Sequence, residues 1–455
     1  MKLSFMDDFE EASSNVEQLV LDPSEDSLAN AFAEMMNGKA KFNHTDGKWY
    51  LFKDGYWQRN DTLTAFHYAR IFIRKYNQKN KDKTLPKLRV ASAVEKFAQA
   101  DPRCAILSNQ LNTNNWLLGT PKGTVDLRTG EMLDNNPDHL ITKQTLVSPF
   151  KMKTPVFDAS LLEITNNDDS FIRYLMQIFG MCLTGDISEQ IIIFIYGPGG
   201  NGKSLLIDML SNILNDYAAT AGIETFTSSK YDRHSTELAR LDGPRLVSAS
   251  ETEEGRAWAQ SRIKTLTGGG KITARYMRKD DFEFTPKFKL IFTGNHKPSL
   301  RNVDEAERRR FHIVPFLFLP KKPDKDLPKK LELEYSGILV KLIHGCIDWQ
   351  QNGIVMPDVV KAETQHYFDD QDIFSQWLDE LIIQGPITIG ESGQALYKSW
   401  VSYTQSQGED SGNYKDFRGR IEKAGFKPTK NVPAQHGTRG FLGLQLKTHQ
   451  HEVTI

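Results

Sequence analysis

Cysteine is scarce in this chain of 455 residues, which contains three: Cys104, Cys182 and Cys346. They are far apart and odd in number, which argues against a disulfide framework and fits a reducing, intracellular compartment. Neither the cysteine spacings nor those of the 11 histidines form a zinc-ligand motif. We therefore expect a cytoplasmic protein without a structural zinc site.

Long apolar runs and an excess of charge of one sign are also missing. No apolar stretch approaches the ~20 residues that a membrane-spanning helix needs. The acidic start, MKLSFMDDFEEASS, lacks the apolar core of a signal peptide. Because the net charge is −1, any nucleic acid must be bound by local basic patches. We expect no membrane partner.

The length predicts two to four domains. We predict an N-terminal α+β domain over 1–155, an α/β core with leading helices over 156–320, a helical extension over 321–375 and a small domain over 376–455. In the first domain, Asp46-Gly47 and Asp54-Gly55 separate short aromatic strands and favour tight hairpin turns. Residues 160–187 have a helical pattern, and from residue 188 strands and helices alternate.

The most informative stretch is IIIFIYGPGGNGKSLLIDMLSNIL, residues 191–214. It contains G-x-x-x-x-G-K-[ST] between a predicted buried strand and a predicted helix, which indicates a loop that binds a nucleoside triphosphate. Glycines let backbone N–H groups surround phosphates, and the helix N-terminus attracts the same anion. We expect Lys203 to reach the β- and γ-phosphates and Ser204 to ligate Mg²⁺. The predicted ATP-binding residues are Gly197, Gly199, Gly200, Asn201, Gly202, Lys203 and Ser204.

A short apolar strand ends in acidic residues at RLVSASETEEG, 245–255. Hydrolysis needs a carboxylate after such a strand, to polarise water and hold the shell of the metal. Glu251 is the first candidate and Glu253 the second. Since Ser250 stands where many such ATPases have Asp, we expect Glu251 to act on Mg²⁺ through water.

The stretches ITARYM and FEFTPKFKLIF predict a hairpin with a charged tip that contains Arg278 and Lys279. The second stretch continues into LIFTGN, where Asn295 ends a buried strand and can sense a γ-phosphate. We therefore expect one rigid strand to couple the basic tip to the nucleotide. A charged tip that serves only solubility is the alternative.

An arginine cluster follows in DEAERRRFHIVPF, residues 304–316. Arginine neutralises the charge that develops on phosphoryl oxygens, often from a neighbouring subunit. Arg308, Arg309 and Arg310 are the candidates, and a plain surface cluster is the alternative.

The tail is basic, with eight Lys or Arg against two acids over 413–448. YKDFRGRIEKAG predicts a helix closed by Gly425, while FKPTKNV and GFLGLQLK predict two strands. A helix followed by a two-stranded wing outlines a winged-helix-like DNA-binding domain, although such modules also dock proteins. The predicted phosphate contacts are Lys415, Arg418, Arg420, Lys427, Lys430 and Arg439.

The motifs GPGGNGKS, SETEEG, IKTLTGG, TARYMRKDDFEFTPKFKLIFTGN and ERRRFHIVPF stand in this order. In that order they resemble superfamily 3 DNA helicases, and specifically the primase-helicases of phages, plasmids and poxviruses. The resemblance covers roughly residues 105–375. It implies a P-loop AAA+-like core, a hexameric ring with ATP sites between subunits, and translocation on single-stranded DNA.

The resemblance also implies roles for residues. Arg278 and Lys279 would contact DNA in the central channel, and Asn295 would be the sensor. Arg309 or Arg310 would be the finger that reaches the ATP of the adjacent subunit, with Arg310 favoured. Lys264 falls where the family has a functional lysine.

These features predict an ATP-driven, 3′-to-5′ replicative DNA helicase of a mobile element, which acts on single-stranded and forked DNA. The first 150 residues lack zinc-ligand cysteines and an evident set of catalytic carboxylates, so we expect a separate primase or DNA polymerase partner. One alternative is a replication initiator that uses ATP only to assemble on DNA. Another is a P-loop phosphotransferase, which would leave the sensor, hairpin and arginine cluster unexplained.

Overall fold

A computed structural model describes residues 20, 22–228, 235–251, 257–277, 280–300, 305–320, 323–406, 410–433 and 437–447. The chain divides into two compact units. The first comprises Met1–Pro298 and Arg309–Lys361, and the second comprises Ser299–Arg308 and Ala362–Ile455. The four domains expected from the sequence remain a prediction.

The N-terminal part of the first unit packs three helices against a four-stranded sheet. The helices are α1 (Glu25–Met36), α2 (Thr64–Asn80) and α3 (Leu88–Ala100). The strands are β1 (Ala40–Asn43), β2 (Lys48–Lys53), β3 (Tyr56–Asn60) and β4 (Ala105–Ile106), in the order β3-β2-β1-β4. Asp54 and Gly55, with φ of 50° and 85°, form the predicted tight turn between β2 and β3.

A second antiparallel sheet leads into a pair of helices. Its strands are β5 (Leu117–Thr120), β6 (Gly123–Asp126) and β7 (Glu131–Leu133), and the helices are α4 (Pro155–Ile164) and α5 (Asp169–Met181). The helical pattern over 160–187 corresponds to the end of α4 and to α5, and Asn166 and Asn167, with φ of 52° and 60°, separate the two helices.

The long helix α11 (Tyr335–Asn352) follows α10 (Leu327–Glu332) and packs against α5. A Cβ atom on Gly345 would lie 2.1 Å from the carbonyl oxygen of Met176, so only glycine permits this close approach. The helix ends before Gly353, whose φ is 67°.

Five parallel strands form the central sheet of the first unit. They are β8 (Ile192–Tyr196), β9 (Ala218–Thr220), β10 (Leu246–Glu251), β13 (Lys289–Gly294) and β14 (Phe311–Pro315), in the order β14-β8-β13-β10-β9. The helices that accompany them in the first unit are α6 (Lys203–Leu214), α7 (Ser235–Ala239) and α8 (Gln260–Thr267). The short helix α9 (Glu305–Arg308) precedes β14 in the chain but belongs to the second unit. The strands β8, β13 and β14 are largely buried, which explains their nearly continuous apolar sequences.

A separate hairpin consists of β11 (Ile272–Arg275) and β12 (Asp281–Phe284). The prediction of one rigid strand from the hairpin to Asn295 is wrong, because β12 and β13 belong to different sheets. Pro286 lies between them and has no N–H to donate to a ladder, which favours the break.

In the described residues of its C-terminal part, the second unit has three helices and five short strands around an aromatic core that includes Trp377, Trp400 and Phe417. The helices are α13 (Ile373–Leu381), α14 (Gly393–Ser406) and α15 (Tyr414–Lys423), preceded by α12 (Asp358–Gln371), which spans the boundary between the units. The strands are β15 (Ile382–Gln384), β16 (Gly390–Ser392), β17 (Lys427–Thr429), β18 (Gly440–Leu442) and β19 (Leu444–Leu446).

The strands of this unit form the sheets β16-β18-β17 and β15-β19. The predicted helix and the first predicted strand are present as α15 and β17. The second predicted strand is interrupted at Gly443, whose φ of 83° lets the chain leave one sheet and enter the other.

The segment Ser299–Arg308 belongs to the second unit although its neighbours along the chain belong to the first. Leu300 is 3% exposed, and its N–H donates to Oε1 of Gln371 at 2.9 Å. The guanidinium of Arg308 lies 5.1 Å from the ring centroid of Phe368. The second unit therefore includes a piece of chain from between Asn295 and Arg309.

The three cysteines are buried and unpaired, and burial raises the pKa of the Cys104 and Cys182 thiols to about 12. Within the described ranges, no helix is both long and apolar enough to cross a membrane. The same ranges contain no cluster of three or more His, Cys, Asp or Glu that could hold a metal ion.

Candidate functional site

The loop between β8 and α6 has backbone conformations that only glycine adopts easily. Gly197, Gly200 and Gly202 have φ of 153°, 79° and 86°. A Cβ atom on Gly197 would lie 2.0 Å from the carbonyl oxygen of Phe316, whereas one on Gly199 or Gly200 would meet nothing within 4 Å. The loop therefore packs tightly at its start and borders open space at its middle, where a ligand could approach its backbone.

Lys203 lies at the first position of α6 and is 6% exposed. Its Nζ donates to the carbonyl oxygens of Gly197 and Pro198 at 2.6 and 3.0 Å, and to Oδ1 of Asn201 at 3.0 Å. It also donates to Oδ1 of Asn295 at 3.2 Å. Burial lowers the pKa of its ammonium. The structure thus brings together the lysine of the loop and the predicted sensor.

Asn201 has a supporting position in the loop. Its side chain is buried, accepts from Lys203 and donates through Nδ2 to the carbonyl oxygen of Phe316, just after β14. Its amide thereby fixes the loop to the neighbouring strand, a contact that the motif did not indicate. Ser204, by contrast, is exposed in the first turn of α6, where a metal ion can reach its hydroxyl.

The register of the sheet puts the other candidates at the same edge. Glu251 pairs with Gly294, and Gly294 pairs with Tyr196 on the strand that enters the loop. Glu251 is described by its backbone alone, and Glu253 lies outside the described residues. The hydroxyl oxygens of Ser250 and Thr293 are 3.0 Å apart and link β10 to β13. The carboxyl ends of three adjacent strands therefore meet at the loop.

The arginine cluster divides between different surroundings. Arg308 belongs to the second unit, Arg309 is exposed, and Arg310 precedes β14 in the first unit. Nη1 of Arg310 donates to Oγ1 of Thr267 at the end of α8, at 3.1 Å. On the same helix Lys264 is exposed. Thr267 is thus a partner of Arg310 that the sequence did not reveal.

The tip of the hairpin, with Arg278 and Lys279, lies outside the described residues. The described residues of the hairpin between 271 and 284 carry two cations and three acids. Arg275 lies 3.6 Å from Asp281, and a second ion pair of 3.1 Å joins the two strands nearer to their other end. Any excess of positive charge in this hairpin must come from its tip.

Four cations of the second unit, Arg308, Lys415, Arg420 and Lys423, line a cavity of about 980 Å³. Three acids, Asp372, Asp410 and Asp416, line it too, so its net charge is small. The guanidinium of Arg420 lies 5.6 Å from the centroid of the buried ring of Trp400. Of the predicted phosphate contacts, Lys415 and Arg420 therefore share one concave surface.

The remaining tail cations are spread around the second unit. Arg418 forms an ion pair with Glu422 at 2.8 Å on α15, which occupies part of its charge. Arg439 is exposed just before β18, and Lys427 and Lys430 are exposed at β17 and just beyond it. The structure does not gather these four side chains into one contact.

Two buried cations that the sequence analysis did not single out lie at the opposite edge of the central sheet. Arg245 donates to the carbonyl oxygens of Leu183 and Leu117 at 2.5 and 2.7 Å. Lys289 donates to the carbonyl oxygen of Thr184 at 2.5 Å, and burial lowers its pKa to about 8. These bonds fasten the start of β10 and β13 to the chain before β8. In the sequence, the signal for these two residues is a cation at the start of each apolar strand.

Two family models match the chain. Residues 29–166 match the family described as D5 N terminal like. Residues 195–310, which include the predicted phosphate loop, Glu251, Asn295 and the arginine cluster, match a family of unknown function, DUF5906. The chain therefore combines a D5 N terminal like region with a region that contains the phosphate-loop motif.

Curated viral proteins match over much of the chain. "Putative helicase L207/L206" of Acanthamoeba polyphaga mimivirus is 27% identical over 351 residues, which are 71% of this chain and 36% of that protein. "Putative primase C962R" of African swine fever virus (strain Badajoz 1971 Vero-adapted) is 21% identical over 318 residues, 61% of this chain and 32% of that protein. The match thus spans about a third of each relative. These relatives and the family models confirm the resemblance to viral primase-helicases.

A solved structure shares the fold. The A form apo structure of the NrS-1 C terminal region has a TM-score of 0.51 and 11% identity, over 89% of this chain and 96% of that chain. At this identity the likeness is one of fold alone.

Proposed function

We propose that this chain is an ATP-dependent DNA helicase of the superfamily 3 type, built on a P-loop AAA+-like core. The single observation that carries the proposal is the hydrogen bond from Lys203 to Asn295 at 3.2 Å. It joins a phosphate loop to the end of the adjacent parallel strand, at the edge where the strand of Glu251 also ends. A γ-phosphate bound by the lysine would thus lie beside a polar side chain that can report its loss.

The residues at this edge fit a nucleoside triphosphate with Mg²⁺. The open backbone around Gly199 and Gly200 and the N-terminus of α6 would hold the phosphates. The exposed hydroxyl of Ser204 would ligate the metal, whose charge offsets the negative charge on the phosphoryl oxygens. In our proposal Glu251 orients the attacking water, and Asn295 senses the γ-phosphate.

We propose that the motor works as a ring, in which the arginine cluster and the hairpin have separate roles. We propose that Arg309, which is exposed, or Arg310, which Thr267 orients, completes the ATP site of an adjacent subunit. Arg278 and Lys279 would contact single-stranded DNA in the channel. Lys415, Arg418, Arg420 and Arg439 would bind DNA phosphates in the second unit. The work done would be unwinding of forked DNA during replication of a mobile element.

The test compares ATP hydrolysis with and without single-stranded DNA, and unwinding of a forked duplex. We expect DNA to stimulate hydrolysis, and Lys203→Ala to abolish it. Glu251→Gln should bind ATP and assemble but not turn over. The matched control is Lys361→Ala, which removes an exposed lysine paired with Asp358 and should leave all activities unchanged.

The same measurements separate the alternative functions. A phosphotransferase would consume ATP at a rate that DNA does not alter. If the chain were an assembly factor, the wild-type protein would form rings on DNA with ATP but would not separate the strands of the forked duplex. Either result would contradict the helicase proposal.

A further inference from the structure

The strongest concentration of positive charge lies in the N-terminal region rather than in the tail. Residues 70–89 contain eight lysines or arginines and one acid, Asp82, in a chain whose net charge is −1. The segment covers the end of α2, the loop to α3 and the start of α3. Six of the cations have described, exposed side chains, and one of them, Arg89, pairs with Glu25. We call the other five the basic face: Arg70, Arg74, Lys81, Lys83 and Lys87.

The positive charge of the basic face is largely uncompensated by acidic groups. Asp82 accepts hydrogen bonds from the backbone N–H and the hydroxyl of Thr84 at 2.7 and 2.8 Å, and these bonds lower its pKa. Arg89, next to the face, has its own partner in Glu25 at 3.4 Å. Within the described part of the chain, no carboxylate forms an ion pair with the five cations of the basic face.

The loop that carries Lys81 and Lys83 is held in a fixed conformation. Lys81 ends α2 with φ of 50°, and the side chain of Asn77 bonds both the N–H and the carbonyl oxygen of Asp82, at 2.8 and 2.9 Å. The cations therefore project from an ordered backbone. Like charges held close together repel each other, and a polyanion relieves that repulsion.

A concave site adjoins the face. Arg70, Arg74 and Lys87 border a cavity of about 300 Å³ with an apolar floor that includes Phe66 and Leu85. Arg70 and Arg74 are four residues apart on α2, so they lie one turn apart on the same side of the helix. The cavity combines apolar surface with cations at its rim.

The ligand must carry repeated negative charges. Lys81 and Lys83 lie outside the cavity, so one phosphate or one acidic side chain in the cavity would leave them without a partner. A nucleic acid backbone supplies a charge at every nucleotide. The apolar floor favours a single strand, because an unstacked base can enter a concave apolar site whereas a base stacked in a duplex cannot.

We propose that the basic face is a binding site for single-stranded nucleic acid, separate from the hairpin and the second unit. The cations contact consecutive phosphates, and a base occupies the cavity beside Phe66. The proposal does not depend on ATP hydrolysis, and it assigns a binding role to a part of the chain that lies before the ATPase core.

The test measures binding of a fluorescent oligodeoxythymidylate to the full chain without nucleotide, by anisotropy over a salt series. We expect the double variant Arg70→Ala/Arg74→Ala to bind about tenfold more weakly. Its slope of log affinity against log salt should fall by about 1.4, since each lost phosphate contact contributes about 0.7. The control, Lys151→Ala/Lys153→Ala, removes the same charge from another exposed segment and should match the wild type. Equal affinity and slope in all three proteins would overturn the proposal.

A second variant and a cross-link protect the test against misfolding and against the other DNA sites. Lys81→Gln/Lys83→Gln changes exposed loop residues and should also lower the salt slope. An oligonucleotide with bromodeoxyuridine should cross-link under ultraviolet light to peptides within 64–91. Cross-links found solely elsewhere would refute the assignment, and displacement of the oligonucleotide by polyglutamate at equal charge would point to an acidic protein partner instead. Because no nucleotide is present, failure of the ATPase proposal leaves this result interpretable.

Discussion

A buried histidine beside the phosphate-loop strand should make the central sheet sensitive to acid. His312 lies on β14, is 5% exposed, and its Nδ1 is 2.8 Å from the hydroxyl of Tyr174. Burial raises the pKa of this tyrosine well above its usual value, so the hydroxyl keeps its proton and supplies no negative charge to the imidazole. A protonated imidazole would therefore be a buried charge without a counter-charge from Tyr174.

The size of the effect follows from the pKa of His312, which burial lowers from 6.5 to about 4. Below pH 6.5 His312 takes up a proton in the unfolded chain, whereas in the folded protein it stays neutral until about pH 4. The contribution to stability is therefore complete above pH 6.5 and is lost as the pH falls toward 4. At about 1.4 kcal/mol per pKa unit, the full loss is roughly 3 kcal/mol.

The assay is hydrogen exchange of the β8 and β14 amides, read by mass spectrometry between pH 7 and pH 4 after correction for intrinsic exchange. The opening free energy of the wild type should fall by roughly 3 kcal/mol more than that of His312→Gln, which cannot titrate. His366→Gln, which removes an exposed histidine paired with Asp370 at 3.0 Å, is the matched control. Parallel curves for the wild type and His312→Gln would refute the reasoning.

Three further predictions concern the loop, a buried lysine and a helix end. Gly197→Ala should abolish binding of a fluorescent ATP analogue, because its Cβ would clash with a backbone oxygen 2.0 Å away. Gly419→Ala, in the second unit, adds a Cβ that would meet nothing within 4 Å and should bind the analogue normally. Burial lowers the pKa of Lys289 from 10.5 to about 8. As the pH rises from 8 towards 10.5, the wild type should therefore gain stability relative to Lys289→Met, which urea unfolding would measure. Glu334 accepts hydrogen bonds from the N–H groups of residues 156 and 157 at 3.0 and 2.9 Å. Glu334→Ala should therefore lower the free energy of unfolding by about 1–3 kcal/mol in the same assay. Glu332→Ala, at an exposed position, should leave it nearly unchanged.

The local elements near the phosphate loop could be predicted because their signals are local. The strand before Gly197 and the helix from Lys203 follow from an apolar run, a glycine-rich turn and a helical period within 24 residues. The tight turn at Asp54 and Gly55 likewise follows from a two-residue signal.

Contacts between distant parts of the chain could not be predicted. The bond of Arg310 to Thr267, 43 residues away, and that of Asn201 to the residue after β14 depend on which strands are neighbours. The break after Phe284 had a local signal in Pro286, but the apolar residues on both sides of this proline favoured one continuous strand by periodicity. The sequence signal for the basic face is the run of eight lysines and arginines over residues 70–89.

The assignment of Ser299–Arg308 to the second unit affects how the protein can be truncated. Because these residues belong to the second unit, the stretch Arg309–Lys361 is in effect an insertion within it. A stop codon after Lys361 would leave part of that unit behind and strip Leu300 of its cover. A fragment from residue 362 onward would lack the matching piece. Truncation phenotypes that seem to locate an activity in the tail would therefore include damage to the peptide between Asn295 and Arg309, unless the missing piece is supplied in trans.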